Sequence, residues 1–151
     1  GLERYTGTDR RFQYKGKFGG VTVVDDYAHH PTEIKATLAA AKNIEKNKLW
    51  CVFQPHTYSR TYNLLDDFAK AFDDADKIII ADIYAAREKD TGLINSSVLA
   101  ERIRQRGKDA IYIGDFPAIK EYIRQNCSDG DLLITMGAGD VYLIGEDLVK
   151  E

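Results

Sequence analysis

Five short apolar-rich runs recur along this chain: Val21–Val24, Leu49–Phe53, Lys77–Asp82, Ala110–Ile113 and Asp131–Met136. Helix-like segments fill the intervals. Strands that alternate with helices need crossover connections, which set the strands parallel and cover both faces of their sheet. Leu49-Trp50-Cys51-Val52-Phe53 is apolar at every position, as a strand buried on both faces requires. Ile34, Leu38, Ala41 and Ile44 keep helical spacing and predict a helix from Pro31 to about Asn47. Leu64, Leu65, Phe68 and Phe72 predict a second over residues 62–73. Asn95 and Ser96 offer caps for a third that reaches Arg106 and is closed by Gly107. Phe116, Ile119, Ile123 and Cys127 line a fourth, with Pro117 in its first turn, and a last helix follows Asp140. Near the start, Arg10 to Lys17 alternates polar and apolar, and Gly19-Gly20 separates it from Val21, as in a hairpin. The expected fold class is α/β: a mostly parallel sheet with helices on both faces and an N-terminal antiparallel hairpin strand. A single domain is expected over residues 9–151, with a linker over residues 1–8.

Bulk properties remove several function classes. A chain of 151 residues can bury a core without staples. Its net charge of −3 argues against a nucleic-acid groove, which carries a basic excess. No apolar run approaches the ~20 residues of a membrane span, and the N-terminus has no apolar signal core, so no membrane partner and a cytoplasmic location are expected. Cys51 and Cys127 lack CxxC spacing and read as reduced thiols.

The chemistry concentrates in the turns after the strands, where open α/β sheets bind ligands. The first, Asp25-Asp26-Tyr27-Ala28-His29-His30-Pro31-Thr32-Glu33, holds two carboxylates, a phenol and two imidazoles. Asp26 or His30 would also serve as the cap of the helix that Pro31 opens. The second, Gln54-Pro55-His56-Thr57-Tyr58-Ser59-Arg60-Thr61, holds the third histidine and an arginine whose planar fork suits a carboxylate or phosphate. The third runs from Asp82 through Tyr84 and Arg87-Glu88-Lys89; its length suggests function, although the three charges alone read as a surface cluster. The fourth, Gly137-Ala138-Gly139-Asp140, is a tight turn or a place where backbone N–H groups approach a phosphate. No G-x-x-x-x-G-K-[ST] loop is present to hold ATP phosphates. The three histidines with Asp25 or Asp26 offer ligating atoms, but adjacent histidines point apart along an extended backbone, so no metal is expected.

These turns, with Arg10-Arg11-Phe12, Asp82–Glu88 and Met136–Asp140 in the same order, resemble the C-terminal domain of the Mur ligases of bacterial peptidoglycan synthesis. The resemblance covers essentially the whole chain and implies a Rossmann-like fold. The Gln54–Thr61 segment favours the member that adds L-alanine to UDP-N-acetylmuramate over the one that recycles murein tripeptide. The activity implied is ATP-dependent amide formation through an acyl phosphate, with ATP and Mg2+ held mainly by a central domain and the UDP sugar by an N-terminal one. The partners implied are ATP, L-alanine, UDP-N-acetylmuramate and those two domains; the chain alone would be inactive, with no catalytic residue of its own. Carried over by residue, Tyr27, His29, His56 and Arg60 face the amino acid, with Arg60 receiving its carboxylate. Asp26 and His30 lie on the nucleotide side. Asp82, Arg87, Gly137 and Gly139 form a further candidate group. Thr57 departs from the family pattern, since some members carry a second arginine there. Competing readings are a different Mur-type acceptor, or a non-catalytic α/β ligand-binding module.

Overall fold

Unbroken apolar runs become central strands because both sides of such a strand meet protein. The computed structural model describes residues 10–151. Its strands are β1 (Gln13–Phe18), β2 (Val21–Asp26), β3 (Leu49–Phe53), β4 (Lys77–Ile80), β5 (Ala110–Tyr112) and β6 (Leu132–Met136). Its helices are α1 (Pro31–Lys42), α2 (Tyr58–Asn63), α3 (Leu65–Ala69), α4 (Ser96–Gln105), α5 (Phe116–Asn126) and α6 (Tyr142–Val149). They form one six-stranded sheet of order β1-β2-β6-β3-β4-β5. Among the described residues only the β1–β2 pairing is antiparallel. This is the expected α/β class, with its N-terminal hairpin strand.

Side chains alternate across the sheet and build a core on each face. Val24, Cys51, Phe53, Ile78, Ile80 and Ile134 meet Ile34 and Leu38 of α1, Phe68 of α3, and Leu99 and Ile103 of α4. Phe53 lies 5.7 Å from Phe68 and 5.2 Å from Phe72 between ring centroids. On the opposite face Val23, Trp50, Val52, Ile79 and Leu133 meet Ile119 and Ile123 of α5 and Ile144 and Leu148 of α6. β6, last in the chain, sits between β2 and β3, and its register places Asp26, Met136 and Phe53 level. Ile80 of β4 pairs with Phe53. The carboxyl ends of four strands therefore form one rim.

Two helix boundaries differ from expectation. α1 stops at Lys42, and Ile44 is 41% exposed instead of joining the core. The chain must turn there to enter β3, and Asn47 is already anchored by donating N–H to Gly130 O (2.8 Å) and side-chain Nδ2 to Asp129 O (2.9 Å). The single helix expected over 62–73 is two: α2 starts four residues earlier and breaks at Leu64, and α3 ends at Ala69. Tyr58, Arg60 and Thr61 thus lie on a helix, not in an open turn. The linker expected over residues 1–8 lies outside the described residues. Cys51 is buried, Cys127 half-buried, and both are free. Among the described residues no helix is long and apolar enough to cross a membrane.

Candidate functional site

β2 ends in two carboxylates with different tasks. Asp25 is fully buried and accepts from Arg10 Nε (2.6 Å), Arg10 Nη2 (3.1 Å) and Thr135 Oγ1 (2.7 Å). Arg10 also donates to Gly139 O (3.1 Å) and lies over the rings of Tyr27 and Tyr142. One guanidinium thereby ties the start of the described chain to β2, the glycine turn and α6. Asp26 accepts from Phe12 N–H and Ala28 N–H, both at 2.8 Å. Burial raises its pKa against the pull of those N–H groups. Asp26 lines a cleft of about 330 Å³ with Arg11, Tyr27, Thr32 and Thr37.

His30 is the N-cap residue of α1 and Pro31 its first helical residue, where a missing N–H costs nothing. Glu33 reaches back to accept from His29 N–H (3.1 Å) and His30 N–H (3.2 Å). Burial works against the charge on Glu33, but these bonds hold its pKa below the ordinary value. The His29 ring, with Nδ1 at 3.0 Å from Tyr27 O, sits edge-on to Tyr27 at 5.2 Å and 5.8 Å from the ring of His56.

The turn after β3 is clasped by the turn after β4. Tyr84 N–H donates to Pro55 O and Thr57 N–H to Tyr84 O, each at 2.8 Å, and the His56 ring stacks on Tyr84 at 5.5 Å and 13°. Burial, then the charges of Arg60 and His29, lower the pKa of His56, and Glu88 opposes them. Among the described residues, His56 Nδ1 and Arg60 Nη1 are buried without hydrogen-bond partners. Aromatic rings thus run in sequence from Tyr27 through His29 and His56 to Tyr84, beside a guanidinium group with an unused donor.

The remaining predicted residues lie on the same rim but outside that row. Asp82 accepts from Tyr112 OH, which pushes the phenol up to about 12. Arg87 is exposed. Both glycines have packing roles. Gly137 has φ +149°, and a Cβ there would lie 2.8 Å from Gln54 O. A Cβ on Gly139 would lie 2.7 Å from the Tyr84 ring. The sequence did not single out Arg10 and Tyr84 as organising groups, nor Glu88, which caps α2 by accepting from Tyr58 N–H (2.7 Å) and Ser59 N–H (3.1 Å). No local signal pointed to Glu88, because the first turn of α2 was not itself legible as helix.

A family model described as "Mur ligase, glutamate ligase domain" matches residues 10–139. UDP-N-acetylmuramate–L-alanine ligase of Acetivibrio thermocellus is 62% identical over 151 residues, all of this chain and 32% of that protein. The enzyme of the same name from Clostridium botulinum (strain Okra) is 60% identical over 146 residues, 97% of this chain and 32% of its own length. The chain thus spans about a third of the length of these curated relatives. The crystal structure of UDP-N-acetylmuramate–alanine ligase from Thermotoga maritima matches with TM-score 0.74 and 28% identity, over 93% of this chain and 29% of that one. A murein peptide ligase from Psychrobacter arcticus has the same fold, with TM-score 0.76 and 24% identity over 99% of this chain and 31% of that one.

Proposed function

The chain belongs to the Mur ligase family, and from that premise we propose that it is the C-terminal domain of an ATP-dependent ligase joining L-alanine to UDP-N-acetylmuramate. The observation that carries this reading is Arg60, whose Nη1 is buried with no protein acceptor among the described residues. An unpaired buried donor is costly, so a guanidinium kept this way suits an incoming anion. L-Alanine offers little apolar area and must be held by its charges. Its carboxylate fits Arg60. Its ammonium fits the neighbouring imidazoles, because burial favours the neutral His56 ring, which can accept an N–H.

The roles of the neighbouring residues follow from this arrangement. Tyr27 and His29 wall the amino-acid side, and Asp26 with His30 faces the nucleotide, where the cleft beside Arg11 and Thr37 gives Asp26 access. The chain has no phosphate loop. ATP phosphates and Mg2+ therefore belong to a central domain, and this domain alone turns over nothing. In the ligase, the lactyl carboxylate of UDP-N-acetylmuramate becomes an acyl phosphate, the alanine amine attacks its carbonyl carbon, and phosphate leaves. This domain would present the amine and, on closing, exclude water from the acyl phosphate.

The test is steady-state phosphate release by the full-length ligase. A charge-assisted hydrogen bond contributes about 1.5–3 kcal/mol, so Arg60→Ala should reduce kcat/KM for L-alanine by about 10- to 150-fold. The loss belongs at the upper end, because Thr57 leaves no second arginine in this turn. The KM for ATP and for UDP-N-acetylmuramate should stay within about twofold. Arg60→Lys should recover part of the loss, since an ammonium lacks the fork. Preference for an L-alanyl peptide over L-alanine would point instead to a peptide-adding member of the family. An Arg60→Ala enzyme with unchanged use of L-alanine would refute the carboxylate contact.

A further inference from the structure

The arginine of the proposed site rides on a helix that cannot stand alone. α2 has six residues, far below the length at which an isolated helix holds. The first N–H groups of any helix need outside acceptors, and α2 supplies no acid in its first turn. Thr57 Oγ1 takes Arg60 N–H at 3.3 Å. The other two first-turn N–H groups, of Tyr58 and Ser59, go to Glu88 Oε1 at 2.7 and 3.1 Å, and Ser59 Oγ donates to Glu88 Oε2. Thr57 itself has φ 67° and ψ 147°, a region a β-branched residue occupies only where its neighbours over-determine it. The neighbours that do so come from the same loop as Glu88, through Tyr84 O and the Tyr84 ring stacked on His56. The carboxylate also sits at the positive end of the helix, where negative charge is favoured. Its oxygens are engaged by the backbone and Ser59, while Arg60 Nη1 remains without a partner among the described residues.

We propose that Glu88 is a positioning residue: by capping α2 from the neighbouring loop it fixes where the Arg60 guanidinium meets the substrate carboxylate. The proposal rests on the reading of Arg60 as the carboxylate receptor. Glu88 touches no substrate; it acts through the helix. The loop after β4 thereby sets the specificity of a group carried by α2.

The experiment is a double-mutant cycle in the full-length ligase, reading KM for L-alanine, kcat and KM for ATP in Glu88→Ala, Arg60→Ala and the double variant. Glu88→Ala should raise KM for L-alanine on the order of tenfold, with kcat and KM for ATP within about twofold. Glu88→Gln keeps one acceptor oxygen for the two N–H groups and should recover most of the loss. Ser59→Ala removes only the hydroxyl contact and should have the smallest effect. In the Arg60→Ala background, Glu88→Ala should add less than about twofold, because no guanidinium is left to place. Equal penalties in both backgrounds, or parallel losses of kcat and ATP use, would overturn the proposal. Should Glu88→Ala fail to fold, Glu88→Gln carries the cycle, with a smaller rise in KM for L-alanine of about two- to threefold that disappears in the Arg60→Ala background. If Arg60→Ala raises KM for L-alanine and no Glu88 or Ser59 variant does, the positioning role alone fails. If Arg60→Ala leaves that KM unchanged, the carboxylate reading fails first, and the Glu88 role with it.

Discussion

Removing Arg10 should damage this domain more than any other single charge deletion on the rim. Its side chain is 10% exposed, and that of its partner Asp25 is 0% exposed. In Arg10→Ala, Asp25 keeps only the Thr135 hydroxyl as a donor among the described residues, leaving a buried carboxylate nearly uncompensated. Breaking a buried pair this way costs about 3–5 kcal/mol. The contacts with the Tyr27 and Tyr142 rings and with Gly139 O are lost as well, but they share the same guanidinium and do not simply add. Against a total stability of about 5–15 kcal/mol, the predicted loss is large. Equilibrium urea unfolding of the isolated domain, followed by the fluorescence of Trp50, the one tryptophan in the chain, measures it. Arg10→Lys should cost less, because it keeps the charge and loses the fork. Once Asp25 is replaced by Asn, Arg10→Ala should cost only about 1–2 kcal/mol, since no buried charge remains. A loss below about 1 kcal/mol for Arg10→Ala in the wild-type background would mean that Asp25 is not left uncompensated.

The depressed pKa of His56 makes a further prediction. Between its folded value and 6.5 the unfolded chain binds more protons, so stability rises with pH across that window and falls on acidification through it. Urea midpoints on either side of the window should show this slope reduced in His56→Gln; an identical slope in the variant would contradict it. Gly137→Ala should destabilise by about 2 kcal/mol or more, since its Cβ would meet the Gln54 carbonyl at 2.8 Å with φ in a region that favours glycine. Unchanged thermal unfolding of that variant would remove the close-approach argument.

Much of the architecture was legible because local chemistry and tertiary position agree. The apolar runs at β3 and β6 are buried at every residue, and Pro31 and Pro117 open α1 and α5 as a fixed φ allows. Non-local features were not legible. Nothing near Leu132–Met136 says that this last strand enters between β2 and β3, since sheet order follows from crossovers and not from local pattern. The helical nature of Tyr58–Thr61 escaped because its capping carboxylate comes from Glu88, 30 positions from Tyr58 and in a segment that reads as a surface charge cluster. At the rim, the clustering of Tyr27, His29 and His56 was foreseeable from their places after two strands. The role of Arg10 was not, because its partner Asp25 could be recognised as buried only once β2 was seen paired on both edges. Asp82 follows β4 on the expected edge but is engaged by Tyr112.

If this rim receives the amino acid of an amide-forming ligase, as proposed, Arg60 should lie on its carboxylate. The most direct measurement is a crystal structure of the full-length ligase with L-alanine, UDP-N-acetylmuramate and a non-hydrolysable ATP analogue. The L-alanine carboxylate should lie within hydrogen-bonding distance of the Arg60 guanidinium, about 2.7–2.9 Å, with the amine beside the His29–His56 rings. L-Alanine bound away from this row, with the Arg60 guanidinium turned to solvent, would contradict it.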